Sequence, residues 1–201
     1  EKFQGRLLAV RSSAAHEDGA GNSYAGAYLS RTNVDPTPDA ITKAVDEVFN
    51  SYADPSTKDQ VLVQPMVSNV AVSGVGLTRD LDTGSPYYVI SYDDFSGRTD
   101  TVTGGGESKT FLVHRSRPDA LHSARFRKLI DSVIELEEIT SSHELDIEFC
   151  ITKNGHIFIL QVRPLATRRN WDRPDDPVID DALDGIRDQL NNYLAPTPGL
   201  A

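Results

Sequence analysis

Short apolar runs separated by polar punctuation set out the elements of this chain. Leu7–Arg11 predicts a short buried strand, and the small, polar, glycine-containing stretch Ser12–Gly26 follows it at once. Thr37-Pro38 supplies an N-cap with proline at the first helical position. Ile41, Ala44, Val45, Val48, Phe49 and Tyr52 then mark one helical face. Four strand-like runs come next, Val61–Val67, Val70–Thr78, Tyr87–Tyr92 and Thr110–His114, divided by glycine, proline and aspartate clusters. Phe126, Leu129, Ile130, Val133 and Leu136 predict a second amphipathic helix to about Thr140. Two further strands flank Asn154-Gly155. An acidic, proline-bearing linker, Asn170–Pro177, leads to a last helix carrying Ile179, Leu183, Ile186, Leu190 and Tyr193. Hairpins interrupted by two or three helices, with no internal repeat, predict an α+β fold with a largely antiparallel sheet.

The Asn154-Gly155 hairpin holds the most unusual pattern. Asn-Gly between alternating runs favours a two-residue type I′ turn, with positive φ at both central positions. That turn sets Glu148 opposite Gln161 and Asp146 opposite Arg163. Alternation then puts these four side chains on one face, with Ile147, Phe149, Leu160 and Val162 on the other. Carboxylates beside an amide and a guanidinium suit a cation site adjoining a phosphate clamp: hard Mg²⁺ takes oxygen donors, and arginine forks onto phosphate. The competing account is a solvated sheet face whose ion pairs contribute about 0–1 kcal/mol.

Composition narrows the function classes. The chain has 201 residues, enough for one globular domain, and no apolar run long enough for a membrane helix. A net charge of −10 disfavours a nucleic-acid polymer as partner, but not a nucleotide, which needs only a few local cations. The single cysteine, Cys150, excludes an internal disulfide framework and suits a cytoplasmic location. The first residue is glutamate rather than methionine, as expected of a processed chain or a piece of a longer protein.

Four stretches in order carry a resemblance. They are Val10-Arg11-Ser12-Ser13-Ala14, Glu17-Asp18 to Ser23-Tyr24-Ala25-Gly26, Ser73-Gly74-Val75 with Thr78-Arg79-Asp80, and Asp146-Ile147-Glu148-Phe149 leading to Leu160-Gln161-Val162-Arg163-Pro164. Together they resemble the nucleotide-binding domain of the phosphoenolpyruvate synthase and pyruvate phosphate dikinase family, an ATP-grasp fold. The resemblance implies ATP and Mg²⁺ as cofactors, Arg11 and Arg163 as catalytic phosphate-holding residues, and Glu148 and Gln161 as metal ligands. It implies Asp146 in support or at a second metal, and Gln64 and Thr78 near the nucleoside. It also implies a partner: phosphate passes to a histidine on a separate swivelling domain, then to a small acceptor such as pyruvate or L-glutamine. A nucleotide-sensing domain without transfer, or a purely structural one, are the competing functions.

Other features carry less. Gly104-Gly105-Gly106-Glu107-Ser108-Lys109-Thr110 lacks the second glycine of a P-loop and leads into a strand. Asp18–Gly26 is suited either to offering backbone N–H groups to phosphate or to a plain surface turn. The five histidines show no zinc spacing, Cys150 reads as a small core residue, and Asp172, Asp175, Asp176, Asp180 and Asp181 read as a solvated linker.

The sequence also departs from the family pattern. The Gly-Gly-Lys context of a phosphate-binding lysine is missing, so residues 1–168 are expected to be a nucleotide-binding domain without its amino-terminal lobe, and 169–201 a linker and helix leading to a further domain. No histidine sits in the family's phosphohistidine context. Ser91–Gly97 replaces the usual Gly-Leu-Gly-Glu segment, which brings the chain nearer to the capsule-type L-glutamine kinases.

Overall fold

The computed structural model describes residues 3, 5–13, 29–52, 56–96, 108–165 and 176–194. His16, the Asp18–Gly26 stretch, Gly104–Glu107 and most of the acidic linker lie outside the described residues. The described elements are β1 (Leu8–Ser13), β2 (Arg31–Val34), α1 (Pro38–Phe49), β3 (Gln60–Pro65), β4 (Val70–Leu77), β5 (Tyr87–Asp93), β6 (Lys109–His114), α2 (Ala124–Thr140), β7 (Leu145–Thr152), β8 (Ile157–Pro164) and α3 (Asp176–Leu194). They form two antiparallel sheets, ordered β2-β1-β3 and β6-β5-β4-β7-β8. This is the expected α+β, ATP-grasp-like architecture, with the antiparallel pairing divided between two sheets rather than held in one.

Each sheet is backed by one helix. Val10, Val61 and Val63 of the smaller sheet pack on Ala44 and Val48 of α1. α1 begins as expected, with Thr37 Oγ1 accepting from Ala40 N and Pro38 following the cap. Tyr52 belongs to the same cluster but lies past the helix end, where its hydroxyl accepts from Ser13 N and donates to Gln60 O. On the larger sheet, Val72, Ile90, Ile147, Phe149 and Ile151 pack on Leu129, Ile130 and Val133 of α2. Ser141, in the left-handed region at φ 53, closes α2. Among the described residues, α1 and α2 each cover one face of a sheet.

Three local readings are corrected. β2 was not foreseen: Arg31-Thr32-Asn33-Val34 has no apolar alternation and is mostly exposed, with Asn33 at φ 58. The hairpin connection is not a two-residue type I′ turn. Thr152 pairs with His156, Gly155 N donates to Thr152 O, and only Gly155 has positive φ, at 82. Lys153–Gly155 is therefore a three-residue loop, a type I turn closed by a left-handed glycine. Asp180 is not solvated linker but a residue of α3 in contact with Ser116 and His114.

Candidate functional site

A three-residue loop should shift every cross-strand pair of the hairpin by one position. Near the turn it does, with Ile151 opposite Ile157 and Phe149 opposite Ile159. A β-bulge then leaves Leu160 without a cross-strand partner and restores the expected register, Glu148 opposite Gln161 and Asp146 opposite Arg163. The bulge also changes which way side chains face. Ile159 and Val162 pack towards the α2 core, whereas Leu160 is absent from that core and borders a hollow shared with Arg11. Leu160 was expected on the buried face; the extra residue turns it to the site.

Arg11 reaches this face from the other sheet. On β1, Val10 points to α1, so Arg11 and Ala9 point the opposite way, beside Leu62 and Gln64 of β3. Arg11 Nη1 donates to Glu148 Oε2 at 3.1 Å, with the side chains 16% and 18% exposed. On β4, Val75 is the neighbour of Glu148 and Leu77 that of Asp146, giving the floor an apolar side. The structure therefore brings Arg11, Asp146, Glu148, Gln161 and Arg163 together where the two sheets meet.

The electrostatics of this group are unusual for a sheet. Burial pushes the Asp146 carboxyl above the usual carboxylate range; Arg163 opposes that rise and Glu148 adds to it. Asp146 Oδ1 and Arg11 Nε are buried without a hydrogen-bond partner among the described residues. Native folds rarely leave such atoms unpaired, and those that remain call for a ligand, ion or water. The donor set, two carboxylates and an amide oxygen from facing strand positions, fits a hard divalent cation. No group of three or more His, Cys, Asp or Glu residues capable of holding a metal occurs among the described residues.

A cleft of about 580 Å³ opens beside the group, between the Gln64–Asn69 segment and the hairpin tip. It is not lined by Asp146, Glu148, Gln161 or Arg163. Gln64, Met66 and Leu160 border both it and a smaller hollow that reaches Arg11. Gln64 is thus placed at the cleft. Thr78 is not. It is fully buried, donates to His143 O and accepts from Leu145 N, each at 2.8 Å. Its hydroxyl joins the ends of β4 and β7 and is not open to a ligand.

Cys150 lies on the same strand, fully buried, and burial raises its thiol to about 11, which keeps it protonated and unreactive. Lys109 pairs with Asp94 at 2.8 Å on the surface. One polar cluster was not anticipated. Arg115 forks onto Glu137 at 2.5 and 3.0 Å, Tyr88 donates to the same carboxylate, and Arg115 also donates to Thr78 O. Nothing in the sequence marks its members, and Glu137 simply follows Leu136, the last apolar residue of the α2 stripe.

Comparison with known proteins bears on the family of the chain. The model of the pyruvate phosphate dikinase AMP/ATP-binding domain matches residues 1–118, which include Arg11, Gln64 and Thr78 but stop before the hairpin. A curated relative, the uncharacterized phosphotransferase YvkC of Bacillus subtilis (strain 168), is 26% identical over an alignment taking in 81% of this chain. The chain spans only 24% of that protein's length. With a match over more than half of its residues, the chain belongs to the pyruvate phosphate dikinase AMP/ATP-binding domain family.

Proposed function

We propose that this domain binds ATP with a divalent cation between its two sheets and starts a phosphoryl transfer to a histidine on a separate domain, from which a small acceptor such as pyruvate or L-glutamine is phosphorylated. The observation that carries the reading is the meeting of Arg11 from one sheet with Asp146, Glu148, Gln161 and Arg163 from the other. Phosphoryl transfer asks mainly for positioning and for neutralisation of spreading charge. Arg11 and Arg163 would hold phosphate oxygens. Glu148 and Gln161 would hold Mg²⁺, with Asp146 in support, and the cation when bound would neutralise charge on the phosphates. The cleft beside Gln64, Met66 and Leu160 would take the nucleoside, its apolar walls suiting a planar base.

The same reading assigns residues 1–168 to the nucleotide domain and 169–201 to a linker and helix, in a cytoplasmic protein. The described helices include none long and apolar enough to cross a membrane.

The test uses the full protein and labelled ATP. Arg163→Ala should abolish phosphohistidine formation, because losing one charged contact to the transferring group removes about 3 kcal/mol or more of transition-state stabilisation. Undiminished labelling in that variant would sink the assignment.

A further inference from the structure

The Arg11–Glu148 pair joins the two sheets, and it uses the carboxylate that the proposed cation needs. While Arg11 Nη1 holds Glu148 Oε2, that arm of the guanidinium is closed to the phosphates. Nor can a cation settle on Glu148 without facing the guanidinium. The ion pair leaves its surroundings incomplete on both sides: Arg11 Nε and Asp146 Oδ1 stay buried and unpartnered among the described residues. A polyanion would complete the first and a cation the second.

We propose that this pair is a latch opened by the nucleotide–cation complex and by neither ligand alone. The proposal rests on the functional reading above. The exchange follows from charge balance. A free cation on Glu148 would strand Arg11 in a largely buried place beside a second positive charge. A nucleotide without a cation would take Arg11 and leave Glu148 facing phosphate anions. Removing one partner of a buried pair is costly because it leaves the other charge uncompensated. When both ligands arrive, Arg11 passes to phosphate oxygens as the cation takes Glu148, and every charge keeps an opposite neighbour. The two sheets are then tied through the ligand instead of directly.

Mn²⁺ binding to the full protein, followed by electron paramagnetic resonance with and without a non-hydrolysable ATP analogue, tests the latch. Wild type should bind Mn²⁺ about tenfold or more tighter with the analogue present. Arg11→Gln should bind Mn²⁺ alone about tenfold tighter than wild type, a shift of about 1.4 kcal/mol, and lose most of the gain from the analogue. Arg163→Gln removes an equal charge from the same face without opening the pair, so its gain should be clearly smaller. Arg11→Lys keeps the charge but loses the fork; it should fall between wild type and Arg11→Gln, and it replaces the latter if circular dichroism shows misfolding. Mn²⁺ affinity unchanged by both Arg11 variants, or an equal gain from Arg163→Gln, overturns the latch while nucleotide binding still stands. A wild type that binds no analogue at any Mn²⁺ concentration overturns the functional reading itself.

Discussion

Gly74 shows how tightly single positions are fixed beneath the site. It sits on β4 between β5 and β7, and a Cβ built there would lie 2.2 Å from Ser91 O and 3.0 Å from Phe149 Cζ. A backbone oxygen held in a sheet cannot move aside cheaply. Gly76, two positions on, would meet the end of the Ile90 side chain at 3.0 Å and Ile147 O at an ordinary 4.0 Å. Gly74→Ala should therefore lower stability in urea titration by about 1–3 kcal/mol. Gly76→Ala should cost clearly less, because Ile90 has a rotamer to change. Equal losses would show that the clash at Ser91 O is not the cause. At the same scale, the motif neighbours of Thr78 point to a site, while its hydroxyl is taken by two backbone groups of the β4–β7 junction.

At the scale of elements, α2 is fixed to the large sheet by more than its apolar stripe. Glu137, only 3% exposed, receives Arg115 from beyond β6 and Tyr88 from β5. Arg115→Met should cost about 3 kcal/mol, because it leaves a buried carboxylate uncompensated. Adding Glu137→Leu should recover much of that loss in a double-mutant cycle, since apolar pairs often replace buried ion pairs without penalty. This network was illegible in the sequence because its members lie far apart and Glu137 looks like an ordinary surface charge on a helix. The β7–β8 pairing was legible at Glu148–Gln161, although its turn was not. The Asn-Gly pair admits more than one loop, and the bulge at Leu160 returned the strands to the expected register. β2 was missed because four mostly exposed residues carry no periodicity.

Over the whole molecule, α3 is attached through charge. Asp184 is contacted by Arg117, and by Arg187 at 3.1 Å, while Asp180 accepts from Ser116 at 2.6 Å and faces His114 at 3.2 Å. The hydrogen bond from Arg117 holds the Asp184 carboxyl below its ordinary value of 3.8. A depressed carboxylate stabilises fully above that value and loses its contribution as pH falls through the folded-state value. Amide protection factors of α3 should therefore fall, relative to those of α2, when pH is lowered below about 4; unchanged protection would place the anchor elsewhere. What the sequence determined by itself was local: helices from apolar spacing, strands from alternation, and one charged face on a hairpin, because such patterns depend only on neighbours in the chain. What the tertiary structure decided was which distant groups meet. Arg11 reaches Glu148 across 137 positions, Thr78 turns inward, and Leu160 turns to the cleft, because a second sheet, a backbone junction and a bulge put them there.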